Sequence, residues 1–488
     1  MLEQYNLQPA KVFYYFEEIS KIPRGSGNTK AVSDYCVAFA KERGLCVRQD
    51  ELNNVVIKKP ATAGYEGKPG VIIQGHLDMV AEKDADSNHD FMKDPIELIV
   101  DGDFITANKT TLGADDGIAV AAGLALLDDD TIKHPNLEVI FTIDEETGMD
   151  GAMGLDMSDI NGKYMLNLDS EDDGIITVGC AGGKSAEVTF DMELAEVAGV
   201  IYKLTVSGLK GGHSGAEIHN ERANANILLG RVLKYINDRI AIRVTSLNGG
   251  AKDNVITKES TAIFVLHGHE DVETKMAKLA DVLAEITAII KNEYAISDKD
   301  IAIELSDGEY GIFTAASRKA TDNILAFMTL VPFGPQYRVP GMNGLVETSM
   351  NMGILKTDKG IVLMHMSIRS SVKSRKYLIA ERIETLAKLT GGNFKSEGEY
   401  PEWAYKADSP LQKLLCKVYK EKFDEELKID VIHAGLECGY ILEKKPELDV
   451  VSFGPQMYDI HTTDERVSIS SIGKMYDFVK VILEALCE

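Results

Sequence analysis

Three compact stretches rich in Val, Ile, Leu or Tyr constrain this chain most: Val71-Ile72-Ile73, Leu137 to Ile143 and Tyr164 to Leu168. None shows the in-out alternation of a half-solvated strand, so each reads as a strand buried on both faces. Each ends at a loop carrying histidine or acidic residues. Between the first two lies Gly117-Ile-Ala-Val-Ala-Ala-Gly-Leu-Ala-Leu-Leu, an Ala/Leu-rich segment suited to a helix packed against the sheet. Ahead of them, Val32, Tyr35, Cys36 and Phe39 recur at helical spacing over Lys30 to Ala40, with Gly44 as the stop. Buried strands alternating with helices define an α/β class.

The 488 residues exceed what one hydrophobic core holds, so two domains, or three small ones, are expected. A glycine cluster, Val178-Gly-Cys-Ala-Gly-Gly183, marks a boundary, and from Ala186 the texture changes to alternating strands with two long amphipathic helices. A coarse unit occurs twice within 186–390. Strands near Glu187 and Ile201 lead to a helix from Ala223 to Asn237, strands near Ala241 and Thr261, and a helix from Asp271 to Asn292. The second pass has a strand at Ile301, a helix near Thr321, strands near Val346 and Ile361, and a helix from Lys376 to Leu389. After Gly391-Gly392 a helix over Ser409 to Lys422 and apolar runs at Ile429 to Ile432 and Val450 to Phe453 complete the first domain. The expected division is 1–185 and 392–488 for one discontinuous domain and 186–391 for an inserted one.

Charge narrows the class of partner. Lysine and arginine total 52 against 77 acidic residues, a net charge of -25, which is the wrong sign for a nucleic-acid footprint. No window reaches the run of roughly 18 apolar residues that a spanning helix needs. The opening MLEQYNLQPAKVFYYFEEIS lacks the basic and apolar regions of a secretory signal, so a cytoplasmic location is expected. Cys36, Cys46, Cys180, Cys416, Cys438 and Cys487 form no C-x-x-C pair, against a disulfide framework or a thiolate zinc site.

Five segments bring histidine or carboxylate to predicted strand ends or helix starts: Gly75-His76-Leu77-Asp78, Gly113-Ala114-Asp115-Asp116-Gly117, Asp144-Glu145-Glu146-Thr147-Gly148, Asn167-Leu168-Asp169-Ser170 and Asp459-Ile460-His461. Ligands of open α/β sheets gather at the strand carboxyl ends. Taken singly, His76 reads as a hydrogen-bonded loop histidine, Asp115-Asp116 equally as a helix N-cap, and Glu145-Glu146 as a solvated pair. Together they suit two divalent cations. Three carboxylates and one hydroxide balance the four positive charges, and two neutral imidazoles fill nitrogen positions that zinc favours. Two such metals, about 3.5–4 Å apart, activate a water and polarise a carbonyl together. Asp84-Ala-Asp-Ser-Asn88 begins like a calcium loop, but His89 stands where glycine is required and Pro95 where the terminal Glu belongs. The H-E-x-x-H, G-x-S-x-G and G-x-x-x-x-G-K motifs do not occur.

The segments VIIQGHLDMV, LGADDGIAVA, FTIDEETGMDGA, NLDSED and YDIHTTDE, with ISKIPRGSGN near the start, resemble the di-zinc metallopeptidases that include dipeptidases, carboxypeptidases and N-acyl amino acid deacylases. HSGAEIHNERANA and HAGLECG point to the aminoacyl-histidine (Xaa-His), or cytosol non-specific, dipeptidase branch. The resemblance implies a mixed-sheet catalytic domain with an inserted α+β lid. It implies that His76 and Asp169 hold one zinc, Glu146 and His461 the other, and that Asp115 bridges them. Asp78 would orient His76, and Glu145 would act as general base. In the lid, His213 would stabilise the oxyanion, Asn254 contact substrate and Arg369 clamp the C-terminal carboxylate, with Gly435 lining the pocket. Many relatives carry Asp-Asn where this chain has Asp115-Asp116, and others carry Asp-Asp. The implied function is metal-dependent hydrolysis of dipeptides through a hydroxide bridging two zinc ions, cobalt or manganese being able to substitute. An N-acyl amino acid deacylase using the same metals is the alternative, and a noncatalytic scaffold the rival from another class. Small peptides are the expected partners, with a homodimer through the lid as a candidate assembly.

Overall fold

The computed structural model of the protein describes residues 2–268, 272–340 and 344–487. The chain forms two compact units: residues 1–179, 405–431 and 436–488 make the first, and residues 180–404 with 432–435 the second. Among the described residues no helix is long and apolar enough to cross a membrane.

The first unit is built on an eight-stranded sheet of β1 (Cys46–Gln49), β2 (Val55–Lys59), β3 (Val71–His76), β4 (Leu137–Thr142), β5 (Tyr164–Asn167), β6 (Ile175–Cys180), β7 (Lys428–Ile432) and β8 (Asp449–Ser452). Their order is β1-β2-β4-β3-β5-β8-β6-β7. The centre is parallel: β3 pairs in parallel with β4 and β5, and β5 with β8. The flanks are antiparallel, β2 against β4 and β6 against β8. Every residue of β3 and β4 is buried, as their composition predicts. The helix Ala114–Leu127 buries all its residues except Asp115, which explains an apolar surface on every side.

Parallel pairing sends the carboxyl ends of β3, β4 and β5 to one edge. His76 ends β3, Glu145 and Glu146 follow β4, and Asp169 follows β5. His461 follows the short strand Met457–Tyr458, which pairs with Arg466–Ser468 in a small four-stranded sheet completed by Leu98–Asp101 and Phe104–Ala107. These short strands have no counterpart in the sequence reading.

The second unit carries a ten-stranded sheet whose main path runs Ala302–Leu305, Ala195–Ser207, Ser260–His267, Ile242–Gly249, Val346–Asp358, Ile361–Ser370, Gly182–Asp191, Asn393–Tyr400. Helices Ala225–Asn237, Val272–Glu293, Arg318–Leu330 and Lys373–Leu389 pack on it, closing a core that includes Val188, Phe190, Leu229, Phe264, Phe327 and Ile383. Asp271, the expected start of the second helix, lies outside the described residues. The sheet reads alike from both ends, but not with the membership expected from the sequence: the strand at Glu187 belongs with the later half and the strand after Ile301 with the earlier one, because each completes the sheet beside strands distant in sequence. In each half the edge strand follows the last helix, and a strand lying outside the helix-enclosed pair separates the two. In one half that separating strand is Gly182–Asp191, which precedes the whole unit in sequence.

Gly75 shows why the histidine-bearing strand end needs glycine. A Cβ there would lie 2.5 Å from Asp116 Oδ2 and 2.6 Å from Ala119 Cβ, so strand and helix can meet only without one. Gly75→Ala should therefore destabilise the protein by about 1–3 kcal/mol, the range for overpacking, read as a lowered denaturant midpoint at unchanged slope.

Candidate metal centre

Asp115 organises the cluster. Its Oδ1 lies 3.2 Å from His76 Nε2 and its Oδ2 3.2 Å from His461 Nε2, so one carboxylate faces two imidazoles. His76 Nε2 also lies 3.6 Å from Asp169 Oδ1, and His461 Nε2 3.0 Å from Glu146 Oε2. The ligand atoms of Asp115, Glu146 and His461 fall within 4.8 Å of one another, as do those of His76, Asp116 and Asp169 and those of His76, Glu145 and Glu146. All seven residues expected here, His76, Asp78, Asp115, Glu145, Glu146, Asp169 and His461, gather in the first unit.

The loops are held by Asp78 and by two groups that sequence reasoning left unassigned, Arg24 and Glu465. Asp78 Oδ1 lies 3.3 Å from His76 Nδ1 and accepts from Glu145 N at 3.1 Å. Its Oδ2 accepts from Ser26 Oγ at 2.8 Å and Glu146 N at 3.4 Å. Buried Arg24 donates from Nη1 to the carbonyls of Leu77 at 3.0 Å and Asp78 at 3.1 Å, and from Nη2 to that of Gly113. Buried Glu465 accepts from four consecutive backbone N–H groups: Leu112 at 2.7 Å, Gly113 at 3.0 Å, Ala114 at 2.8 Å and Asp115 at 3.4 Å. Asp116, joined to Asp115 by a cis peptide, turns inward and accepts from His76 N at 3.0 Å. Arg24 and Glu465 lie inside the quoted segments ISKIPRGSGN and YDIHTTDE, and that was their only signal.

Crowding of carboxylates governs the electrostatics. Burial raises Glu145 to about 9, helped by the charge of Asp169. Asp169 rises to about 7 through burial and the neighbouring Asp115 and Glu146. Asp115 moves the other way: although burial opposes it, bonds to His461 and His76 hold it well below the carboxylate range. His461, bonded to Asp115 and Glu146, rises to about 10. The cluster thus demands positive charge. Two of its oxygens, Glu146 Oε1 and Asp116 Oδ1, are buried with no hydrogen-bond partner. Carboxylates with unspent lone pairs beside two imidazoles are the donor set of a divalent metal site, so the residues present fit metal ions.

The residues expected in the lid lie in the second unit. His213 ends the two-residue strand Gly212–His213, paired with Val255–Ile256, and Asn254 precedes that partner, its carbonyl accepting from Ser214 N at 2.9 Å. His213 Nδ1 accepts from Gly215 N at 3.2 Å and Ala216 N at 3.0 Å, which leaves the ring proton on Nε2. Burial, then the charge of Arg369, keeps this imidazole's pKa down. Arg369 donates from Nη1 to Tyr400 Oη at 2.9 Å, while its Nε is buried without a partner. Gly435 closes the tetrapeptide 432–435, in which Ile432 and Ala434 carbonyls accept from Ala181 N and His433 Nε2 lies 2.7 Å from Ser349 Oγ.

Strand ends that gather such donors suit an enzyme working with bound metal ions. The chain belongs to peptidase family M20/M25/M40, which matches it over residues 72–485, and it is a peptide-bond hydrolase. It is 37% identical to the cytosol non-specific dipeptidase of Escherichia coli (strain K12) over all of this chain and 99% of that protein, 488 residues being aligned. The aminoacylhistidine dipeptidase of Vibrio alginolyticus superposes with a TM-score of 0.93 at 37% identity, covering 98% of this chain and 97% of that one. The aminopeptidase PepT of Bacillus cereus shares the fold at a TM-score of 0.57 and 15% identity, over 99% of this chain and 100% of that one.

The proton balance sets a pH response. His461, Glu145 and Asp169 bind protons more tightly in the folded chain than at their ordinary values of 6.5, 4.5 and 3.8. Their contribution is full below those values and is lost as pH rises through the folded values of about 10, 9 and 7. Asp115, held below its ordinary 3.8, contributes above that value and loses its contribution only in stronger acid. Chelator-treated protein should therefore melt at progressively lower temperature from pH 5 to pH 9. Added zinc or manganese should restore the midpoint most at the alkaline end, where ligands shed protons most readily.

Proposed function

We propose that this protein hydrolyses dipeptides of broad side-chain range, Xaa-His among them, at two divalent cations, zinc foremost, with cobalt or manganese able to substitute. His76 and Asp169 would hold one ion, Glu146 and His461 the other, with Asp115 between. The observation that carries this reading is the position of Asp115, one oxygen 3.2 Å from each of two imidazoles. The bound ions would supply Lewis acidity, polarising the scissile carbonyl and lowering the pKa of the attacking water.

The chain's own groups do the rest. Asp78 keeps the His76 ring oriented through Nδ1 and holds the Glu145 backbone. Glu145 takes a proton from the attacking water on its carboxylate and returns it to the departing amine nitrogen. His213, its proton fixed on Nε2, donates to the tetrahedral oxyanion. Arg369, with unspent donors on a planar fork, pairs with the substrate's C-terminal carboxylate. Asn254 and Gly435 line the same substrate. A carboxylate clamp limits peptide length at that end, which favours dipeptides over proteins. The name of the Escherichia coli relative supports a cytoplasmic location, and we assign the second unit as the contact of a homodimer.

A panel of Ala-His, β-Ala-His, other dipeptides and N-acetyl amino acids, run on metal-loaded and chelated protein, tests the reading. Metal-dependent cleavage of the dipeptides is expected, and exclusive action on acetylated compounds would make the chain a deacylase. Glu145→Ala should lower kcat by about 10²–10⁴-fold with metal content retained in elemental analysis. Arg369→Met should act chiefly on KM, and the loss should vanish for dipeptide amides, which lack the carboxylate.

A further inference from the structure

The segment His433-Ala-Gly-Leu-Glu-Cys-Gly439 carries a carboxylate with no part in the chemistry above. Glu437 opens the helix Glu437–Lys444 and is wholly buried. Its Oε2 accepts from Gln74 Nε2 at 2.7 Å and from Thr142 Oγ1 at 2.6 Å. Its Oε1 is buried without a partner. Gln74 passes the connection on, its Oε1 accepting from Asn167 Nδ2 at 2.6 Å.

These three partners occupy telling positions. Gln74 stands two residues before His76 on β3, Thr142 ends β4 three residues before Glu145, and Asn167 ends β5 two residues before Asp169. Backbone pairing sets Gln74 opposite Asn167 and His76 opposite Thr142. One side chain, 363 residues from Gln74 in sequence, therefore ties the last turns of all three strands whose following residues form the cluster. The ladder fixes the strands' register; the side-chain network fixes how their ends present what comes next.

We propose that Glu437 is a positioning residue for peptide hydrolysis, whose Oε2 gathers Gln74 and Thr142, and Asn167 through Gln74, so that His76, Glu145, Glu146 and Asp169 leave fixed strand ends. The proposal rests on the reading of those four as ligands and base. Burial, with the charges of Asp169 and Asp78, raises the pKa of Glu437 to about 7, against the opposing pull of His76 and of the hydrogen bond from Thr142.

The test uses the full chain with Glu437→Gln, Glu437→Ala and Thr142→Val. Glu437→Gln keeps the shape and the carbonyl acceptor and should retain wild-type kcat and metal affinity. Glu437→Ala should weaken metal binding, measured by zinc titration after chelation, by about 10–100-fold, and lower kcat while KM is little changed. Thr142→Val, which removes one bond to Glu437 and leaves the carboxyl group in place, should shift both quantities in the same direction and carries the test if Glu437→Ala does not fold. A lowered melting temperature with wild-type metal affinity and kcat would reduce Glu437 to a structural role and overturn the proposal. Loss in Glu437→Gln equal to that in Glu437→Ala would overturn the role of the Oε2 acceptor. Failure of the underlying reading is distinguishable, since Glu145→Ala would then keep its activity whatever the Glu437 variants do.

Discussion

Repulsion among carboxylates at one strand edge is the constraint on which the catalytic unit is built. Asp78, Asp115, Asp116, Glu145, Glu146, Asp169, Glu437 and Glu465 all fall in this region, half of them buried and the rest half-buried. Buried like charges are tolerated only when each finds a partner or keeps its proton. The fold sorts them accordingly. Asp78 spends its oxygens on Ser26 and two backbone N–H groups, Glu465 on four, and Asp115 on two imidazoles. At Glu145, Asp169 and Glu437 burial instead raises the pKa above the ordinary carboxylate range. What stays unmet, at Glu146 Oε1 and Asp116 Oδ1, is a demand for cations.

The same sorting stiffens the loops. Arg24 joins the carbonyls after β3 to that of Gly113, while Glu465 gathers the N–H groups of Leu112, Gly113, Ala114 and Asp115. The turn bearing Asp115 is thus gripped from both its carbonyl and its amide side. Glu465 lies four residues beyond His461, so the carboxylate that fixes the Asp115 turn also fixes where the strand after His461 begins. Residues that bring no atom to the cluster therefore set the separation of the two imidazoles. Preorganisation of this kind is what metal-assisted hydrolysis needs, because donors that had to move into place would weaken the ion's hold.

Local pattern explains what was legible in the sequence. β3, β4, β5 and the helix Ala114–Leu127 were readable because burial on both faces leaves a dense apolar run, and the seven cluster residues were readable because they follow such runs directly. Arg24, Glu437 and Glu465 have no such marker. Each is one charged residue whose meaning lies in partners 53 to 363 positions away, a pairing that neither periodicity nor composition encodes. The tetrapeptide 432–435 is hidden for a similar reason. It stands in an apolar run that reads as part of the first unit, yet its carbonyls accept from Ala181 and His433 meets Ser349. Short strands such as Met457–Tyr458 carry too few residues for any period to show.

The second unit poses the opposite electrostatic problem. A guanidinium is strongly solvated, and burying Arg369 with Nε unpartnered is unfavourable unless an anion completes it. Its neighbours are arranged to wait rather than to neutralise. Tyr400 offers an uncharged oxygen, and burial together with Arg369's own charge keeps His213 and His433 neutral, His433 down to about 3. Neither histidine therefore adds a second positive charge beside the Arg369 guanidinium at neutral pH. The overall charge of -25 does little to this group's surroundings, since exposed carboxylates are screened within a Debye length of about 8–10 Å while the buried Arg369 is not.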